Sequence, residues 1–297
     1  GSRRNSFASP MRQNSLSSPT MTPSGTHLSS APPTSPKASR ERNIQVCVRV
    51  RPLSEREKDD GHGVGWSWEA QSIVQEVFPN WDARASISGE RREEQRPNFT
   101  FDHLFVPGSS TNSIYDGVIR DVVDAAMDGY HASVFAYGQT STGKTHTMQG
   151  TDSEPGVIPL AVHSCFADIE KSVDKEFVLR VSYMEIYQEQ MHDLLSPATT
   201  ALKIMEDRKS GTIMVRNLKE EVVINAEQVF ALISAGEAHR HVGETDFNAY
   251  SSRSHTIFRL TIESRDKNNN RGRTCVSTLN LVDLAGSESA KAVMGLA

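Results

Sequence analysis

The run Gly138-Gln139-Thr140-Ser141-Thr142-Gly143-Lys144-Thr145 constrains this chain more than any other stretch. It fits G-x-x-x-x-G-K-[ST], whose glycines let the backbone wrap closely enough for its N–H groups to face phosphate oxygens. The pattern works in one context, with a strand running in and a helix running out whose positive N-terminal end adds to the field. Both flanks are legible: Ser133–Tyr137 is a compact apolar strand candidate leading into Gly138, and helix-compatible residues follow Gly143. In that setting Lys144 reaches the β- and γ-phosphates, and the Thr145 hydroxyl is a ligand for Mg2+.

The rest of the chain reads as alternating strands and helices. Ile44, Val46, Val48 and Val50 alternate with less apolar neighbours, and Arg51-Pro52 ends that strand. Residues 54–97 are charged and contain glycine, with Trp66, Trp68 and Trp81 as isolated anchors, so short strands and variable loops are expected there. Gly156–Ile158 followed by Pro159 predicts a loop and then a helix with proline in its first turn. Phe177–Tyr187, Thr256–Ile262 and Val276–Leu284 read as strands. Ala226–Ala238 carries Val229, Phe230, Leu232 and Ile233 at helical spacing. Such alternation predicts a mixed α/β sheet covered by helices.

Residues 1–42 stand apart. Ser, Thr and Pro dominate, and the charges up to Arg40 are Arg3, Arg4, Arg12, Lys37 and Arg40, with no acid. So little apolar surface cannot offset the entropy of ordering, which predicts a disordered basic arm ahead of a folded domain over 43–297. Ser9-Pro10, Ser18-Pro19, Thr22-Pro23 and Ser35-Pro36 are candidate sites for proline-directed phosphorylation. Two readings stay open: a solvated linker, or an arm whose charge phosphorylation reverses.

Composition excludes several classes. The net charge of −5 is unlike that of a uniformly basic nucleic-acid binder, so no nucleic-acid partner is expected. No run of eighteen apolar residues is present, so no membrane span is expected. Cys47, Cys165 and Cys275 are far apart, which argues against a disulfide framework or zinc site and for a reducing, cytosolic setting. The chain begins Gly1-Ser2 without methionine, which reads as a tag scar or an internal fragment.

Two further runs turn a nucleotide binder into a candidate hydrolase. Asn248-Ala249-Tyr250-Ser251-Ser252-Arg253-Ser254-His255 is a polar stretch before an apolar strand. Its hydroxyls can complete a shell around Mg2+ and the γ-phosphate, and Arg253 can hold a charged partner. Asp283-Leu284-Ala285-Gly286-Ser287-Glu288 follows the strand residues Leu279–Val282. An acid at the end of a buried strand is where a P-loop ATPase needs its water-mediated contact to Mg2+, and Gly286 permits close backbone approach. Taken singly, either run also reads as an ordinary loop or cap.

Together these runs resemble the kinesin family, whose phosphate loop reads GQTxxGKTHTM and is matched over Gly138–Met148. The family's switch I, NxxSSRSH, is matched at Asn248–His255, and its switch II, DLAGSE, at Asp283–Glu288. The family's RxRP motif is matched by Arg49, Arg51 and Pro52, and the resemblance spans about residues 43–290. It implies the kinesin type of P-loop NTPase fold, a central sheet flanked by helices on both faces. It also implies that Arg49 and Pro52 sandwich adenine with His146 nearby, and that Ser252 meets Mg2+ and the γ-phosphate. Ser251 would help position the attacking water. Arg253 and Glu288 would form the salt bridge that closes the two switches, and Gly286 would sense the γ-phosphate through its N–H.

The implied activity is that of a microtubule motor ATPase in the cytoplasm, with ATP, ADP, Mg2+ and tubulin as cofactors and partners, dimeric through a coiled coil outside this chain. The alternative is a truncated, non-motile protein with a kinesin-like nucleotide fold. Residues after Ser289 contain no recognisable start of the family's main track-binding helix, so the chain is expected to lack the C-terminal helices and to leave apolar surface exposed. Gln188 stands where the family usually has Asn. Ser289, with the Ser-rich arm, resembles the centromere-associated class. Lys203, Arg208 and Lys209 lie where the family touches tubulin, although a solvated turn explains them equally well. His239 and His241 read as surface histidines and not as metal ligands.

Overall fold

The computed structural model describes residues 44–75, 97–197, 201–207, 212–241, 252–268 and 274–288. Two units divide between Ile44 and Gln45, and every described element belongs to the second. The arm expected over 1–42 and the anchor Trp81 lie outside the described residues, as do Arg208, Lys209 and Ser289.

Four strands carry the central sheet. β6 (Ala132–Ala136), β7 (Lys175–Tyr187), β12 (His255–Asp266) and β13 (Cys275–Asp283) line up with the short β11 (Glu221–Val223) in the order β11-β7-β12-β13-β6. β8 (Gln190–Asp193) adds to β7. The β13–β6 pair is parallel and the other pairs are antiparallel, so the sheet is mixed, as the alternation predicted. Strand positions agree with the sequence reading to within a few residues. β9 (Lys203–Asp207) and β10 (Thr212–Arg216) pair with each other as a separate antiparallel ribbon.

Long helices cover one face. α3 (Arg120–Met127), α5 (Val157–Lys171) and α6 (Ala226–His241) join a buried cluster with Leu179, Val181, Phe258, Leu260, Leu279 and Leu281. In α5 the buried residues are Val157, Ile158, Ala161, Val162 and Cys165, which is one stripe at helical spacing. Pro159 sits in the first turn, where its missing N–H costs nothing. On the opposite face Phe135, Val178 and Val276 stay exposed.

Two helices went unread in the sequence. α1 (Glu55–Asp59) starts at a capping box, in which the Ser54 and Glu57 side chains satisfy each other's backbone N–H groups. Residues 111–127 form one continuous helical stretch: α2 (Thr111–Ile114), a π turn (Tyr115–Ile119) and α3. Ser110 caps it by accepting from Ser113 N–H. The expected strand around Ile44–Val50 shortens to β1 (Cys47–Arg49), which pairs in parallel with β5 (His103–Phe105). Trp66 and Trp68 share β2 (Trp66–Glu69), in a small sheet with β3 (Ser72–Gln75) and β4 (Asn98–Thr100), and Trp66 tilts against Phe99.

Candidate nucleotide-binding site

The parallel register sets the site. Asp283, the last residue of β13, lies beside Ala136, the last of β6. The loop leaves β6 at this point and turns into α4 (Lys144–Met148), so the phosphate loop and the switch II acid start from adjacent strand ends. Glycine is required twice in this turn. Gly143 caps α4 at φ +92°, and at Gly138 a Cβ would stand 2.6 Å from the Thr142 hydroxyl. Ser141 also adopts a positive φ, of 63°.

The Thr145 hydroxyl donates to one carboxylate oxygen of Asp283 over 2.6 Å. The other, Oδ1, is buried and has no hydrogen-bond partner among the described residues. A buried acceptor left unpaired is costly, and a bound water would satisfy it. Burial pushes the Asp283 carboxyl above the usual carboxylate range, while Thr145, Arg240 and Lys144 pull it back. The Thr145–Asp283 pair thus fits the hard oxygen environment that Mg2+ requires.

Lys144 Nζ donates to the Gln139 carbonyl over 2.9 Å, and the Thr142 hydroxyl donates to the same oxygen over 2.7 Å. Thr140 N–H donates to Glu288 over 2.9 Å, and the Thr140 hydroxyl donates to the second carboxylate oxygen. These bonds, led by the Thr140 hydroxyl, hold the Glu288 carboxyl below its ordinary range. The switch-closing pair expected between Arg253 and Glu288 is therefore not the arrangement observed, because Glu288 is engaged by the phosphate loop. Gly286 N–H donates to the Ser252 carbonyl over 2.7 Å, Ser287 N–H to the Gly138 carbonyl over 3.1 Å, and Ala285 N–H to His255 Nδ1 over 3.1 Å. Switch II is tied by its backbone to both switch I and the phosphate loop. The predicted residues Asn248 and Ser251 lie outside the described residues.

The residues expected around the base converge only in part. The Arg49 guanidinium donates to the Thr147 hydroxyl of α4 over 2.9 Å and to Thr111 over 3.2 Å, and lies 3.5 Å from Glu154. His146 lies 3.8 Å from the same carboxylate. Arg51 turns away and holds Glu57 through two bonds of 2.7 and 2.6 Å, beside Pro52.

Sequence reasoning missed Glu154, which organises this corner by accepting from both Thr111 N–H and the Thr111 hydroxyl. Its carboxyl is held below the ordinary range chiefly by the Thr111 backbone. Arg240, buried behind the site against Glu185, was missed as well. His239 has a structural partner, its Nδ1 donating to the Leu194 carbonyl over 2.8 Å.

A glycine-bounded loop between a parallel strand and a helix, with an acid on the neighbouring strand end beneath its Thr hydroxyl, defines a P-loop nucleotide-binding protein. The family model for the kinesin motor domain matches residues 49–295. The chain belongs to the kinesin motor domain family. It is 44% identical over 273 residues to the Arabidopsis thaliana "Kinesin-like protein KIN-7L, chloroplastic", covering 91% of this chain and 26% of that protein. It is 46% identical over 256 residues to "Kinesin-like protein KIN-7D, chloroplastic" of Oryza sativa subsp. japonica, covering 85% of this chain and 24% of that protein. A solved structure described as "Structure of a fast kinesin: Implications for ATPase mechanism and interactions with microtubules" superposes with a TM-score of 0.73 at 33% identity, over 83% of this chain and 66% of that one. The chain spans about a quarter of the length of these curated relatives. Their KIN-7 names lend no support to the centromere-associated class expected from Ser289.

Proposed function

We propose that the chain is the catalytic portion of a motor that couples ATP hydrolysis to movement along microtubules. The observation that carries this reading is the Thr145–Asp283 bond with its buried, unpartnered carboxylate oxygen, set directly under the phosphate loop. Mg2+, when bound, supplies the charge that phosphoryl transfer requires. Thr145 and Ser252 would hold it directly, and Asp283 would do so through water.

The chain's own groups supply positioning. Gly138, Gln139, Thr140, Ser141, Thr142 and Gly143 wrap the phosphates with backbone N–H groups. Lys144 exchanges the Gln139 carbonyl for phosphate oxygens. Arg49, Pro52 and His146 border the base, while Arg51 supports Pro52 from its anchor on Glu57. Asn248 closes the pocket from switch I, and Ser251 orients the attacking water. Gly286 N–H leaves the Ser252 carbonyl for the γ-phosphate, and Glu288 leaves Thr140 to meet Arg253. Loss of the γ-phosphate reverses these exchanges, and such an order change is what a track-binding surface can read. Lys203 on β9 belongs to that surface in this reading, which places the protein on the cytoplasmic cytoskeleton as a dimer held by a coiled coil outside this chain.

ATP turnover by the intact protein, with and without microtubules, tests the reading. Magnesium-dependent turnover that rises on adding microtubules is expected. Tight ATP binding with no turnover under either condition would overturn it.

A further inference from the structure

Behind the phosphate loop lies a charge cluster, buried at Arg240 and Glu185 and partly buried at Glu237, that none of the roles above uses. Arg240, in the last turn of α6, is 5% exposed, and Glu185 on β7 is 2% exposed. Arg240 Nε donates to Glu185 over 3.1 Å, and a second guanidinium nitrogen donates to the Ser254 hydroxyl over 3.0 Å. The third nitrogen lies 3.5 Å from Glu237, one turn earlier on α6. Glu237 in turn accepts from the Tyr183 hydroxyl and, over 2.8 Å, from Gln149 Nε2. Gly236 makes the approach possible, since a Cβ there would stand 2.6 Å from the Tyr183 ring.

The partners of this cluster are informative. Gln149 is the C-cap of α4, the helix beginning with Lys144 and Thr145. Ser254 stands two residues after Ser252 in the polar run. One carboxylate therefore grips the rear of the phosphate-binding helix and, through Arg240, the end of switch I. The strands do not need it to pair, because β7 and β12 are held by their own twelve-residue register. Charge-assisted bonds in a buried setting are strong and geometrically demanding, so they suit a group that holds two elements in one relative position.

We propose that Glu237 is a positioning residue for phosphoryl transfer. It fixes α4 through Gln149, and switch I through Arg240 and Ser254, so that the Thr145 and Ser252 hydroxyls keep one separation. The inference rests on the ATPase reading above. It predicts a loss that appears in the chemical step while nucleotide capture, which depends on the loop itself, is spared.

Glu237→Gln in the intact protein keeps the size of the side chain and removes its charge. We expect kcat to fall about 10- to 100-fold while KM for ATP stays within about threefold, as for a lost positioning contact. Glu237→Asp keeps the charge and should recover part of kcat. Unchanged kcat in Glu237→Gln, or equal losses in binding and turnover, would overturn the proposal. Should Glu237→Gln fail to fold, Tyr183→Phe removes one donor to the same carboxylate and must show the same split on a smaller scale, and its absence there would be equally decisive against the proposal. A wild-type protein that neither binds nor hydrolyses ATP overturns the function and this inference together. A wild-type ATPase with an indifferent Glu237→Gln overturns the inference alone.

Discussion

The Glu288 carboxylate sits on the phosphate loop, accepting Thr140 N–H over 2.9 Å and the Thr140 hydroxyl with its other oxygen. An anion-binding N–H of the loop is thereby satisfied by the protein's own acid. Glu288→Ala frees that donor. We expect nucleotide to bind as tightly as in wild type or severalfold tighter, while hydrolysis is lost. Titration with a fluorescent ATP analogue, followed by single-turnover assay, checks both halves, and weaker binding would show that the contact does not compete with phosphate.

Lys144 Nζ rests on a neutral acceptor, the Gln139 carbonyl at 2.9 Å, so its charge is available to phosphate. Lys144→Ala should weaken nucleotide binding by about 100-fold or more, the cost of leaving phosphate charge without its partner. Calorimetric titration reads this directly, and an unchanged affinity would contradict the phosphate-loop assignment.

The turn joining β7 to β8 places Gln188 at φ 49° and Glu189 at φ 63°. A two-residue hairpin with both residues left-handed favours Asn, whose short side chain tolerates that region better than Gln. Gln188→Asn should stabilise the fold by ~0.5 kcal/mol, raising Tm by ~1–2 °C. A lower melting temperature in the variant would show that strain at this turn is not what matters.

Glu154 carries a carboxyl held below its ordinary value of 4.5 by Thr111. A folded-state pKa below the unfolded one stabilises the fold above the unfolded value and loses that contribution as pH falls through the folded value. Glu154→Gln should therefore melt below wild type at neutral pH, and the gap should close as pH drops under 4.5. A gap that stays constant with pH would assign its origin to packing instead of charge.

Much of the site is legible in the sequence because its motifs are short and their chemistry is local. The strand into Gly138, the helix after Gly143 and the acid ending Leu279–Val282 all appear where the pattern placed them. The helix over residues 111–127 was equally legible in principle, since Ser110 caps it and Tyr115, Ile119, Val123 and Met127 recur every four residues. α1 announced itself by Ser54 and Glu57. These elements were missed although the signals were present.

Sequence by itself determined the shape of the phosphate loop and the family, because glycine freedom, the Lys-Thr pair and strand periodicity act within a few residues of chain. Tertiary structure alone decided which charges meet. Glu288 reaches Thr140 across 148 residues of sequence, and Arg240 reaches Glu185 across 55. No local period encodes such pairs. They arise because β13 lies beside β6 and α6 packs over β7, and where the second pair is buried each charge must find a partner or raise the cost of folding.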